Sequence, residues 1–186
     1  MRKIVQILSL FVLSSTLLLV GCFCSVYANN NVWHKNEVMV GVYDKNLVDI
    51  DLPKPPSPLF WNAHFKVSHA YYLWYQRTIF HTQNHFSLNL GASIADLNYE
   101  SEHNYAFSGF LDMRFWLWHN KWFDPYLNYS VAGPTWLSKK VFGTTEFSEH
   151  FVFQDALGLG ATLGNNHKMD LGFSVVHYSN GDLFPI

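Results

Sequence analysis

The sequence predicts an all-β fold, an antiparallel outer-membrane β-barrel with about seven strands in this chain. Segments of about ten residues alternate apolar and polar side chains between turn-forming clusters, which is typical of membrane barrels. Aromatic residues make up 18% of the chain and charged residues only 14%, whereas ordinary globular proteins have about 25% charged residues. The net charge of −2 argues against a nucleic-acid partner, which would require a basic surface. We therefore expect lipid, rather than water, to cover much of the surface.

The N-terminus has the pattern of an export signal. Arg2 and Lys3 precede a mostly apolar run, and Val26-Tyr27-Ala28 fits the small-x-small rule for leader cleavage. We predict a signal peptide over residues 1–28 and one transmembrane barrel domain over residues 29–186. The alternative is lipoprotein processing before Cys22, within Leu19-Val20-Gly21-Cys22. Cleavage after Ala28 would leave no cysteine, and hence no disulfide or thiolate metal site.

The first three strands are predicted from alternation and turn signals. Val38–Tyr43 forms a short first strand, and four prolines exclude the loop 45–58 from the sheet. Phe60–Tyr75 is taken as a second strand, followed by a turn near residues 82–84. The third strand, residues 86–95, is apolar on one face, and its other face is small or polar, as a narrow barrel interior requires: Ser87, Asn89, Gly91, Ser93 and Ala95.

The fourth strand, Phe107–Leu117, repeats this pattern and places two opposite charges inside the barrel. Asp112 and Arg114 lie on its polar face, where we expect them to pair with each other or with neighbouring strands. An aromatic cluster at the end of this strand resembles the girdle at a lipid–water boundary; its members are Trp116, Trp118, Trp122 and Phe123.

Three further strands complete a count of seven. They are Tyr126–Val131, Phe151–Leu163 and the segment that begins at Met169, and a polar loop spans residues 139–150. In the sixth strand Asp155 falls on the side of apolar neighbours, and the pattern gives no reason for it. Bacterial single-chain barrels have an even number of strands, so the count indicates a barrel that is incomplete at its C-terminus.

The last strand carries the candidate chemistry. Strand side chains repeat with period two, so His177 and Ser179 share the apolar face of Met169, Leu171 and Phe173. A hydroxyl is a weak nucleophile unless a neighbouring base takes its proton. The pair suits a serine nucleophile with a histidine base, although interfacial polar residues at a strand end are the simpler interpretation. If the first strand starts on the periplasmic side, this seventh strand delivers both residues to the outer surface.

The segment His177-Tyr178-Ser179-Asn180-Gly181, with Phe123-Asp124-Pro125-Tyr126-Leu127 and Gly158-Leu159-Gly160 before it, resembles the lipid A 3-O-deacylase (PagL) family. The resemblance implies an eight-stranded outer-membrane barrel that removes the ester-linked acyl chain at the 3-position of lipid A. It implies that His177 is the base, that Ser179 is the nucleophile, and that Asn180 orients the site or binds the oxyanion. It also implies a third triad member, a glutamate, beyond the serine and an eighth strand after it.

The chain ends at Ile186, so neither the glutamate nor the eighth strand is found, and we assign no residue to the acid's role. Two hypotheses remain open. The first is a serine esterase that acts on lipid A, or lipopolysaccharide, in contact with outer-membrane lipids. The second is a non-catalytic barrel or inactive remnant, and two copies could pair through the open edge. We expect no cofactor and no metal, because His81 and His85 have ligand spacing only on a helix and lie near a predicted turn.

Overall fold

The computed structural model describes residues 17–27, 36–45, 67–82, 85–143, 145–165 and 167–179. These residues form ten strands: β1 (Leu17–Tyr27), β2 (Asn36–Asp44), β3 (His69–His81), β4 (Phe86–Tyr99), β5 (Glu102–Trp116), β6 (Phe123–Leu137), β7 (Val141–Phe142), β8 (Thr145–Glu146), β9 (Phe151–Leu163) and β10 (Met169–Ser179). No helix in the described part of the chain is long and apolar enough to cross a membrane.

Eight of these strands form a closed antiparallel barrel in the order β1-β10-β9-β6-β5-β4-β3-β2. All seven predicted strands have a counterpart in it, which confirms the fold class. The eighth strand is β1, which pairs with β10 from Leu17↔Tyr178 to Val26↔Met169 and with β2 from Cys22↔Val42 to Tyr27↔Glu37. This strand lies within the predicted signal peptide, and cleavage after Ala28 would remove it.

Several observed strands are longer than predicted, as β6 is relative to Tyr126–Val131, and two predictions differ further from the structure. The second predicted strand, Phe60–Tyr75, begins at His69 in the described residues and continues to His81. Residues 60–66, like 46–58 of the predicted loop, lie outside the described residues. The predicted loop 139–150 contains the small hairpin β7–β8, in which Val141 pairs with Glu146.

The two faces of the barrel wall differ in chemistry as the alternation predicts. The inner face of β4 buries Ser87, Asn89 and Ser93, and the outer face of the barrel exposes large apolar side chains on every described strand from β2 to β6 and on β9 and β10. Examples are Val40, Leu73, Leu90, Phe107, Leu127, Leu159 and Leu171. An apolar surface of this extent is stable in lipid and unfavourable in water.

A polar network centred on Arg114 occupies one part of the barrel interior, and a cluster of buried apolar side chains that includes Trp74, Phe110 and Tyr178 occupies another. Arg114 Nη1 donates to Asp170 Oδ2 at 3.2 Å and its Nη2 to Glu37 Oε2 at 3.2 Å. Its Nε lies 4.0 Å from Asp112 Oδ2, so the predicted contact between Asp112 and Arg114 is the longest of the three contacts that Arg114 makes with carboxylates. The guanidinium also lies 4.0 Å from the centroid of the Tyr126 ring, whose hydroxyl donates to Asp170 at 2.6 Å. One cation thus serves three carboxylates.

The Arg114→Met substitution should lower the free energy of unfolding by about 3–5 kcal/mol, because it leaves buried carboxylates without their cation. Urea unfolding of the refolded barrel in detergent micelles, followed by heat-dependent gel mobility, measures this change. Arg77→Met is the matched control, since Arg77 is exposed on β3 and its replacement should change stability little. Equal stability of the two variants would show that the network does not depend on Arg114.

The two ends of the barrel differ in the length of their connections. At one end, which we call the short-turn end, β3–β4, β5–β6 and β9–β10 are joined through residues 82–85, 117–122 and 164–168. At the other end the connections are residues 45–68, 100–101 and 138–150. Two of these three are the longest of these six connections and one is the shortest, and we call this the long-connection end. The final residues of β10 lie there. In outer-membrane barrels the short turns face the periplasm and the longer loops face outward.

Candidate active site

The outer face of β10 changes character along its length. Met169 and Leu171 are 50% and 45% exposed, whereas His177, on the same side by parity, is only 4% exposed. Asp170 and Ser174 point inward and are buried. The structure therefore keeps His177 on the face that the sequence predicts, but in a covered position at the long-connection end.

Ser179 is the last residue of β10 and is partly buried. It lies two residues after His177, so the two Cα atoms are roughly 6.7 Å apart along the strand and both side chains leave the same face. This spacing lets the hydroxyl and the imidazole approach each other through their side-chain rotamers. The third predicted site residue, Asn180, lies outside the described residues.

The neighbouring strand β9 adds a residue that sequence reasoning left unexplained. The antiparallel register places Asp155 directly opposite His177 and Phe153 directly opposite Ser179. Opposed residues of antiparallel strands share one face of the sheet, so Asp155 lies on the outer face beside His177. The signal in the sequence was its position, a carboxylate on an otherwise apolar face.

An apolar surface extends from this site toward the middle of the barrel. On β9, Leu157 and Leu159 are 47% and 57% exposed, and on β10, Leu171 is exposed to a similar degree. These side chains lie on the outer face, nearer the short-turn end than His177. A hydrocarbon chain lying on this surface would have its polar end at Ser179.

The histidines at the short-turn end have structural contacts. Asp124 Oδ2 lies 3.0 Å from His119 Nδ1 and 3.5 Å from His167 Nδ1, so one carboxylate connects two turns. His81 and His85 are both exposed. No group of three or more metal-ligating side chains occurs in the described segments.

The predicted aromatic girdle needs one correction at this end. Trp118, Trp122 and Phe123 are exposed, as expected for a lipid boundary. Trp116 instead lies inside the barrel, 8% exposed, with its ring centroid 5.2 Å from that of Tyr126. The reason is parity, because Trp116 follows Arg114 by two residues and so shares its inner face.

The barrel and its strand-end site define a class. An antiparallel barrel with an apolar exterior, a partly polar interior and a histidine–serine pair at one end of its outer face is a transmembrane β-barrel with a lipid-facing candidate site. The family model described as lipid A 3-O-deacylase (PagL) matches residues 61–184, and the chain belongs to this family of outer-membrane hydrolases. A search of curated proteins and a search of solved structures each found no match.

Proposed function

We propose that this chain is a serine esterase that hydrolyses the 3-O-linked acyl chain of lipid A at the outer surface of the outer membrane. The observation that carries the proposal is the position of His177 and Ser179 on one outer face of β10, at the long-connection end. The family match supports lipid A as the substrate. The apolar surface of β9 and β10 supports an acyl chain that stays in lipid while its ester reaches the serine.

The chemistry follows from the two side chains. His177 accepts the proton of the Ser179 hydroxyl as the oxygen attacks the ester carbonyl carbon, and a tetrahedral oxyanion forms. The bond between the acyl carbonyl carbon and the sugar oxygen then breaks. The sugar oxygen takes the proton from the imidazolium, and the acyl group remains on Ser179. Water, deprotonated by His177, attacks this acyl ester and releases a fatty acid and the free serine. Asn180 is proposed to stabilise the oxyanion by donating a hydrogen bond.

The Ser179→Ala substitution should abolish the loss of one acyl group from lipid A while leaving the barrel folded. The measurement is mass spectrometry of lipid A from outer membranes of cells that express the 186-residue chain, with heat-dependent gel mobility as the test of folding. Ser174→Ala is the matched control, because Ser174 lies on the same strand but points into the interior, where it is 5% exposed.

Two outcomes would contradict the proposal. If the Ser179→Ala variant removes the acyl group from lipid A as well as the unaltered chain does, another residue is the nucleophile. If a folded, unaltered barrel leaves lipid A unchanged, the chain is a non-catalytic outer-membrane barrel, which is the second hypothesis.

A further inference from the structure

Asp155 and His177 are directly opposed across β9 and β10. Their Cβ atoms are expected to lie about 4.5–5.5 Å apart, as is usual for opposed residues in antiparallel pairs. This separation is within reach of a hydrogen bond between a carboxylate and an imidazole. The strand register alone brings these two residues together, since they are distant along the chain.

The same barrel contains a pair of this geometry in which the contact is formed. Asp44 on β2 is directly opposed to His69 on β3, and His69 Nδ1 lies 3.3 Å from Asp44 Oδ2. A second outward-facing pair is diagonal, because the register opposes Asp96 to Tyr105 and His103 to Asn98, and His103 Nδ1 lies 2.9 Å from Asp96 Oδ1. An aspartate opposed to a histidine in this sheet can therefore approach the imidazole closely without leaving the strand.

The backbone beside Asp155 is irregular on its other side. Between β6 and β9 the register runs from Ser130↔Ala156 to Gly133↔Gln154, so two residues of β6, at positions 131 and 132, face Asp155 alone. This is a β-bulge, a feature that bends a strand, re-aims side chains and is common next to active sites. Because of the bulge, Asp155 faces two residues of β6, whereas a residue in a regular antiparallel pair faces one.

The lipid-facing position of Asp155 also needs a physical reason. Ionised side chains on a lipid-facing surface are costly and are normally paired or functional. Asp155 is partly buried, and its neighbours on the same face, Phe153 and Leu157, are apolar. An imidazole that gains a positive charge during the reaction would stabilise a carboxylate here.

We propose that Asp155 is the residue that positions His177 for catalysis, and this inference rests on the proposed esterase function. Its carboxylate accepts a hydrogen bond from one ring N–H of His177, which fixes the tautomer whose other nitrogen takes the Ser179 proton. It also stabilises the imidazolium that then forms. The resemblance to the deacylase family implies a glutamate beyond the serine for this role; here the carboxylate comes from the adjacent strand.

Asp155→Asn tests this role, because asparagine keeps the shape of aspartate but removes its charge. We expect kcat for lipid A deacylation in detergent micelles to fall about 10²–10⁴-fold with little change in KM, and Asp155→Glu to retain much more activity than Asp155→Asn. Asp44→Asn is the matched control, since it breaks an opposed aspartate–histidine pair away from Ser179, and it should keep the activity of the unaltered chain.

Nuclear magnetic resonance of the ring N–H groups in barrels labelled with ¹⁵N-histidine gives a readout that does not depend on activity. We expect a strongly downfield N–H proton, absent from His177→Gln, that moves upfield in Asp155→Asn and stays in place in Asp44→Asn. Heat-dependent gel mobility verifies folding, and Asp155→Glu, which should move this proton without removing it, serves if Asp155→Asn does not fold.

The outcomes separate the two claims. A barrel in which Ser179→Ala abolishes deacylation, but Asp155→Asn leaves kcat and the His177 proton unchanged, would overturn the inference and keep the proposed function. A barrel in which Asp155→Asn moves the His177 proton, but the unaltered chain shows no deacylation, would support the hydrogen bond and overturn the proposed function.

Discussion

Replacing His177 with glutamine should lower kcat for lipid A deacylation by at least about 10³-fold, because the Ser179 hydroxyl then has no base to take its proton. KM should change little, since in the proposed function the acyl chain binds to the apolar surface of β9 and β10 rather than to the imidazole. Steady-state kinetics in detergent micelles, with lipid A as the substrate, measures both constants. A lower kcat with an unchanged KM distinguishes the loss of the chemical step from a loss of substrate binding.

The control for His177→Gln is His103→Gln, which removes an exposed imidazole that contacts Asp96 at the same end of the barrel. It should leave kcat and KM close to those of the unaltered chain. Because His177 is 4% exposed, the folded fraction of each variant must be compared by heat-dependent gel mobility before the rates are. A folded His177→Gln barrel with unchanged kcat would show that another group activates the serine.

The strand faces of this barrel could be predicted from the sequence because side-chain alternation is a local property. Ser87, Asn89, Asp112 and Arg114 were placed inside from period two alone, and all four are buried in the structure. The same parity placed His177 and Ser179 on one face of the final strand. The alternation is clear in these segments because one face of each strand contacts lipid and the other face contacts packed polar side chains in the interior.

The pairing between strands could not be predicted in the same way. The opposition of Asp155 and His177 depends on the register of β9 and β10, and the site at Asp155 depends also on a bulge in β6. Register is set by turn geometry and by packing over the whole sheet. The sequence of a single strand therefore does not determine its register. The partners of Arg114 were missed for the same reason, since Glu37 and Asp170 lie on strands distant along the chain.

The N-terminal segment shows a different limit of sequence reasoning. The apolar part of a leader and a strand that faces lipid have similar compositions, and Leu17–Tyr27 is compatible with both. The predicted cleavage after Ala28 is a processing step. The structure instead shows how the chain folds when these residues are still present. The two therefore require an experiment that compares the chain with and without the segment.

A chain that begins at residue 29 should fail to form the compact, heat-modifiable barrel that the 186-residue chain forms. Without β1, the edges of β10 and β2 lose their pairing from Met169 to Tyr178 and from Glu37 to Val42. Each unpaired backbone group in hydrocarbon costs several kcal/mol, so the sum exceeds the stability of an ordinary domain. Refolding both chains into the same detergent and comparing gel mobility with and without boiling measures the effect.

A chain that begins at residue 17 is the control, because it lacks the residues before β1 but keeps every pair that closes the barrel. It should fold as the full chain does. A chain from residue 29 that folds equally well would show that β1 is dispensable, which would agree with leader cleavage after Ala28. Its mass by analytical ultracentrifugation would then decide how the edges of β2 and β10 are covered. A dimer would mean that two copies pair there, and a monomer would mean that the seven remaining barrel strands close on themselves.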